Sequence, residues 1–371
     1  MSDVKLSQPK SARTINNARI LGCLRTHDNV SKAEIARILD LNKVSTGEIV
    51  DDLIEQGLVR ESGKMESSNG RRPTCLEIVS DAKYVLAVDI GSKFITVALC
   101  DMLGQVKHFE RIPTNTSVKK VEEFIADLIK SCIRVTRLVE SSKIIGAGVA
   151  VGGKVSPDGS EIVSCSYLPW KNIPIAQAFE QIMKIKAVAC NSTCALVAAE
   201  RITNPEADLL ASEDPIIYIE WGDSVSMVQV YEGKAFGTDN NFAHLKVANT
   251  GLCTCGQIGC LASIASAWAI GGNNDVHLRD LWEKVGSEVI HDMASAINTV
   301  CKIKRSNKAI IPGEGATITD ACLKALQKAC PNVQVAKSNL GDKANLTSAA
   351  ELALDRWVYM SSMLEKVKNW L

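Results

Sequence analysis

The sequence predicts an α/β protein: a small N-terminal winged helix-turn-helix followed by a larger layered body. Three features of the chain point there. Residues from about 14 to 62 read as short helices separated by tight turns. The stretch Ser62 to Pro73 is rich in glycine, serine and arginine. From about Tyr84 onward apolar strands alternate with amphipathic helices, the texture of a layered α/β domain. The expected organisation is a flexible N-terminus over residues 1–13, a helix-turn-helix domain with its linker over 14–80, and an α/β body over 81–371.

At 371 residues the chain is long enough for two or three domains with sizeable cores. Its 42 basic side chains balance 42 acidic ones, so any affinity for nucleic acid must be local rather than a global field. Thirteen cysteines without regular spacing, and no signal peptide, predict a reducing cytoplasmic setting. No apolar run approaches the roughly 18 residues of a membrane span.

In the head, Ile15, Ile20, Leu21 and Leu24 space a first helix. Ser31 caps the second, and Glu34 three residues on completes a capping box. A turn at Asp40-Leu41-Asn42 leads to a third helix, Lys43 to about Gln56, with Ile49, Val50, Leu53 and Ile54 as its buried stripe. Lys43, Ser45, Thr46 and Glu48 are expected at its exposed start, where a recognition helix meets base edges in a major groove. Glu48, Asp51 and Asp52 work against that role, because they face or flank phosphate. Gly47 costs about 1 kcal/mol of helix propensity and predicts close approach to DNA or to another helix. Gly57–Glu61 and Thr74–Ile78 read as the two strands of a wing, which ends in Gly70-Arg71-Arg72-Pro73. Arg71 and Arg72 on thin extended backbone suit a narrow minor groove; the plainer reading is a solvated linker.

In the body, strands are expected at Tyr84–Asp89, Phe94–Cys100, Ile144–Val151, Ala187–Ala189, Ile216–Glu220 and Val225–Tyr231. Helical periodicity marks Val121–Leu138, Ile175–Met183, Thr193–Arg201, Val285–Val300 and Thr317–Ala329. The strand count allows two similar halves. His27, His108, His277 and His291 show no ligand spacing and read as surface or capping residues. Leu352–Leu371 is amphipathic, with core packing of a last helix as its default role.

Cys253, Cys255 and Cys260 fall within eight residues, with Gly256 and Gly259 between them and His244 upstream. Three thiols and one imidazole form a tetrahedral Cys₃His set, closed in the manner of structural zinc and leaving no open position for catalysis. The plainer alternative is a group of free buried thiols.

The order of these motifs resembles the ROK family, which contains repressors and sugar kinases. The resemblance covers about residues 14 to 330, and Cys-x-Cys-Gly-x-x-Gly-Cys-Leu at Cys253–Leu261 is its most specific element. Asp89-Ile90-Gly91-Ser92-Lys93 looks like the first phosphate hairpin of an actin-like fold. The helix-turn-helix and Ser67–Pro73 look like the repressor branch. The resemblance implies a two-lobed actin-like (ribonuclease H-like) body, with lobes of about 81–190 and 191–371, and a structural Zn²⁺ on His244, Cys253, Cys255 and Cys260. It further implies homodimers or homotetramers that bind palindromic double-stranded operators and respond to a sugar or sugar derivative, with Gly153, Tyr167, Asn191, Ser192 and Asn241 as ligand positions.

The departures from the kinase pattern run one way. The kinases' Asn-Asp pair, whose Asp is the general base, is Asn191-Ser192 here, and a serine hydroxyl cannot take the proton without its own base. Glu-x-Gly-His is replaced by Asn241-Phe242-Ala243-His244, and Cys-Leu-Glu by Cys260-Leu261-Ala262. Tyr167 stands where an Asn precedes Leu-Pro. The phosphate loops are reduced to Trp221-Gly222-Asp223-Ser224 and Pro312-Gly313-Glu314-Gly315. The expectation is a regulator of carbohydrate-related genes, a repressor, with a non-catalytic body; the alternative is a sugar kinase with a regulatory DNA-binding head.

Overall fold

The computed structural model describes residues 9–64, 73–117, 120–165, 167–203, 212, 214–238, 240–272, 276–340 and 344–359. The chain opens with three helices and a two-stranded ribbon. α1 (Pro9–Thr26) starts at a proline, which lacks the N–H that a helix start leaves unpaired. The helix therefore begins ahead of residue 14, where its apolar spacing had suggested; residues 1–8 lie outside the described residues.

α2 (Lys32–Ile38) has the expected capping box: Ser31 Oγ accepts from Glu34 N at 3.4 Å, and the Glu34 carboxylate takes the Ser31 N–H at 2.9 Å. α3 (Lys43–Glu55) is capped by Asn42, whose Oδ1 accepts from the amides of Val44 and Ser45 at 2.9 and 3.2 Å. β1 (Val59–Lys64) pairs antiparallel with β2 (Thr74–Ile78), Val59 opposite Ile78.

The body holds two five-stranded sheets of the same order. In the first, β3 (Tyr84–Ile90), β4 (Phe94–Asp101) and β5 (Val106–Pro113) run antiparallel. After α4 (Val121–Thr136), β6 (Ile144–Val151) joins β3 in parallel. A small hairpin of β7 (Gly153–Val155) and β8 (Ile162–Cys165) and then α5 (Ile175–Met183) lead to β9 (Ala187–Asn191), parallel to β6. α6 (Ser192–Thr203) then opens the second lobe.

In the second sheet β10 (Ile216–Trp221), β11 (Val225–Tyr231) and β12 (Lys234–Thr238) are antiparallel. The short α7 (Ala262–Ala265) and α8 (Ala267–Gly271) and the long α9 (Ser287–Lys304) precede β13 (Lys308–Ile311). α10 (Asp320–Ala329) precedes β14 (Gln334–Lys337), and β10, β13 and β14 are parallel. The two halves allowed by the strand count are thus present as a repeated sheet order. α4 and α5 bury one face of the first sheet, while α9 and α10 cover the second. Among the described residues no helix is long and apolar enough to cross a membrane.

The C-terminal helix corrects the expected lobe boundary. α11 (Ala344–Leu354), placed by sequence in the second lobe, lies against β3 and β6 of the first sheet. Gly148 makes this possible: a Cβ there would stand 1.9 Å from the Ala349 carbonyl oxygen. Gly148→Ala is expected to cost about 1–3 kcal/mol, seen as a lower urea midpoint, because backbone blocks the added methyl and α11 must shift.

The head packs on this same layer. Ile20, Leu21, Ile49, Val50 and Leu76 share one apolar cluster with Ala349, Ala353 and Leu354 of α11 and Val85 and Ala87 of β3. Arg25 of α1 seals the joint. Its guanidinium forms a two-pronged pair with Glu351, one prong at 2.7 Å, with the side chains 9% and 1% exposed. It also stacks 4.6 Å from the Tyr359 ring centroid. The head is therefore built onto the body rather than hung from it.

Candidate functional site

Three places carry chemistry: the start of α3, the cysteine run and the cleft between the lobes. At the first, Lys43, Ser45 and Glu48 are exposed as expected, and Val44 beside them is 71% exposed. Thr46 is a correction. It is fully buried, its Oγ1 donating to the Asn42 carbonyl at 2.9 Å, so it belongs to the helix–turn packing and cannot reach a partner. A Cβ on Gly47 would meet nothing within 4 Å, so no helix among the described residues lies against it. Two of the three acids that opposed a DNA role make exposed ion pairs within the head, Asp51 with Lys32 and Asp52 with Arg13, while Glu48 stays exposed. Arg71 and Arg72 lie outside the described residues.

At the second place, glycine geometry makes the fold-back. Gly251, Gly256 and Gly259 all have φ near +80°, and a Cβ on Gly259 would fall 1.8 Å from the Ala248 carbonyl oxygen. The chain therefore doubles over, Cys253 N donating to Gln257 O at 2.8 Å and Val247 N to Gly259 O at 2.9 Å. Ligand atoms of His244, Cys253, Cys255 and Cys260 come within 4.8 Å of one another. Cys255 and Cys260 sulfurs are 3.7 Å apart, and Cys253 Sγ is 3.5 Å from His244 Nδ1. A tetrahedral ion with Zn–S of about 2.3 Å needs ligand–ligand edges of about 3.8 Å, so the donor set fits a metal of that size and geometry.

The third place is a cleft of about 400 Å³ between the β3–β4 hairpin and the loops at the ends of β10 and β13. The five expected ligand positions do not converge on it. Tyr167 lines it but is satisfied by backbone: its hydroxyl donates to Ile90 O at 2.6 Å and accepts from Gly152 N at 2.8 Å. Ser192 also lines it and gives its proton to Glu220 Oε2 at 2.9 Å. Asn191 is buried and acts as a cap, donating to Gly153 O and accepting from Thr193 N, each at 3.0 Å. Gly153 packs against the β8 backbone, where a Cβ would stand 2.4 Å from Ser164 O. Asn241 is exposed in the turn before His244, away from the cleft lining.

Acids crowd the cleft instead. Asp89 is half-buried in the cleft wall, and burial, reinforced by the nearby Glu220, pushes its carboxyl up to about 7, against a hydrogen bond from Asn345. Burial, with Asp223 close by, also raises Glu314. Lys93 reaches across from the first lobe to Asp223 Oδ1 at 3.2 Å and to the Val276 carbonyl. His277, read from sequence as a surface or capping residue, stands with Nδ1 3.0 Å from Glu314 and 3.5 Å from Asp223. Sequence reasoning missed Glu220 and Asn345 altogether. Neither sits in a motif, and only the fold brings them beside Asp89.

Comparison with known proteins follows the same lines. The model of the ROK family matches residues 85–356. The chain is 26% identical over 267 residues to a putative xylose repressor of Caldicellulosiruptor sp. (strain Rt8B.4), covering 70% of this chain and 65% of that protein. It is 24% identical over 363 residues to the DNA-binding transcriptional dual regulator NagC of Escherichia coli (strain K12), covering 88% and 86% of the two chains. A solved ROK family transcriptional regulator, described as a homologue of the E. coli MLC protein, superposes with a TM-score of 0.72 at 16% identity over 96% of this chain and 99% of its own. A ROK family glucokinase from Streptomyces griseus, solved with glucose and AMPPNP, gives 0.59 at 19% identity over 72% and 98%.

Proposed function

The chain belongs to the ROK family, and from that footing we propose that it is a sequence-specific DNA-binding transcriptional regulator, a repressor of carbohydrate-related genes. In this reading the three helices and ribbon are a winged helix-turn-helix, and the two lobes are an actin-like body that no longer transfers phosphate. The observation that carries it is one continuous unit: an exposed polar start of α3 on a head whose core runs into α11. α11 in turn lines the cleft through Asn345 and Leu346 and grips the head through Glu351. A ligand that alters the cleft thus has a short route, along one helix, to the DNA-reading surface. It shifts operator binding only by its difference in affinity for the two states.

Loss of catalysis is supported by where protons and charges stand. The hydroxyl in the general-base position, Ser192, is a donor to Glu220, and that carboxylate also accepts from Thr193 at 2.7 Å. Asp223 and Glu314 stand in the two loops where a nucleotide's phosphates would need amides or cations. A coupled ADP-release assay over common hexoses and N-acetylhexosamines is expected to show no turnover. Turnover abolished by Ser192→Ala would reverse this part of the reading.

The Cys₃His set is read as a structural Zn²⁺ site bracing the second lobe. Cys255→Ser is expected to cost the chain one equivalent of zinc and on the order of 5 °C of thermal stability, with operator binding retained. The protein is further read as a cytoplasmic homodimer or homotetramer on a palindromic site, with Lys43, Ser45 and Glu48 facing bases, Arg71 and Arg72 in a minor groove, and a sugar-derived effector. Selection of genomic fragments by the full chain tests the main reading. It predicts recovery of a few sites sharing an inverted repeat, and recovery of random fragments would sink it.

A further inference from the structure

Asp223, His277 and Glu314 come from three separate loops of the second lobe, and their ligand atoms lie within 4.8 Å of one another. We propose that they form a second metal site, for a divalent transition-metal ion held by one imidazole and two carboxylates, opening on the interlobe cleft. It is independent of the Cys₃His set and of whether the head binds DNA.

His277 Nδ1 is the atom that asks for a ligand. It is buried and makes no hydrogen bond of acceptable geometry, although carboxylate oxygens lie 3.0 and 3.5 Å away. Those separations match the edges of about 3.0–3.4 Å that N and O donors at about 2.1 Å from a common ion require. Glu314 is already oriented, its Oε2 accepting from Leu278 N at 3.0 Å, an outer-shell contact that fixes a ligating carboxylate. Burial first, and the neighbouring Asp223 second, push the Glu314 carboxyl up, against His277 and Arg279. An imidazole with two carboxylates suits Mn²⁺ or Fe²⁺ rather than a thiolate-seeking ion.

The cation now beside Asp223 is the Lys93 ammonium, 9% exposed and 3.2 Å from Oδ1. It comes from the first lobe, so an ion that takes over Asp223 releases one tie between the lobes. Lysine and metal compete for the same oxygen, which gives the test its internal control.

The test is a Mn²⁺ titration of the zinc-loaded full chain, following loss of the free-ion EPR signal. We expect one Mn²⁺ per chain, with a nitrogen coupling in the bound spectrum. His277→Ala should remove that coupling and weaken binding at least tenfold, and Glu314→Gln should weaken it similarly. Lys93→Met should tighten binding several-fold, and Cys255→Ser should leave it unchanged. If neither the native chain nor Lys93→Met binds Mn²⁺ at millimolar concentration, or if His277→Ala and Glu314→Gln bind as the native chain does, the site does not exist.

Discussion

Replacing Arg25 by Met is expected to lower stability by about 3–5 kcal/mol, because it strips the partner from a carboxylate that stays enclosed. Glu351 is 1% exposed and takes both prongs of the guanidinium, so no water can move in to solvate it. The penalty is that of an uncompensated buried charge rather than of a lost surface ion pair, which would be worth about 1 kcal/mol or less. Some packing goes as well, since Arg25 also covers the Tyr359 ring and donates to the Leu103 carbonyl at 3.3 Å. Urea unfolding measures it, and a loss under about 1 kcal/mol would mean that the head joins the body through apolar contacts alone. The double variant Arg25→Met/Glu351→Met should recover most of the loss, since paired apolar groups of similar volume replace buried ion pairs at little cost. In the proposed regulator the single variant should also blunt effector response more than operator affinity, because it cuts α1 from α11 without touching α3.

The second large effect is a pH dependence owed to Asp89. Its carboxyl is pushed up to about 7 from an ordinary 3.8, first by burial and then by Glu220. Between about pH 4 and pH 7 the folded chain holds a proton there that the unfolded chain has released. This group's share of stability is therefore present in acid and lost as pH rises toward 7. At about 1.4 kcal/mol per unit the span is of order 4 kcal/mol. Asp89→Asn keeps a polar amide for Asn345 and removes the charge. Its stability advantage over the native chain should be about 4 kcal/mol at pH 8 and shrink by more than half at pH 5, in buffer without added divalent metal. Parallel stability curves for the two proteins between pH 5 and 8 would show that Asp89 is ionised and comfortable in the cleft.

Features set by near neighbours are legible in the sequence, and those set by long-range packing are not. The Ser31–Glu34 capping box, the strands Ile144–Val151 and Val225–Tyr231 and the helix Ile175–Met183 depend on neighbours within a few residues, and the structure has them at those bounds. The Cys₃His donor set likewise announces itself, because its three cysteines fall within eight residues and glycines turn the chain between them. Strand β5 escaped notice as an exposed edge, where Lys107, His108, Glu110 and Arg111 break the apolar pattern. Thr46 carries a polar side chain at a helix start, yet the turn before it closes over it. The Arg25–Glu351 pair spans 326 residues, and nothing near either residue signals it. His277 shows no ligand spacing along the chain, because its partners lie on loops that only the second sheet brings together.

The central claim, that this kinase-like fold serves a DNA-reading head, is met most directly by one comparison of affinities. The full chain is titrated, at 150 mM salt, against a fragment recovered by selection and against the same fragment with its inverted repeat scrambled. The account predicts at least a 10³-fold preference for the intact repeat, reduced when Ser45 and Glu48 are replaced by Ala. Equal affinity for the two fragments would contradict it.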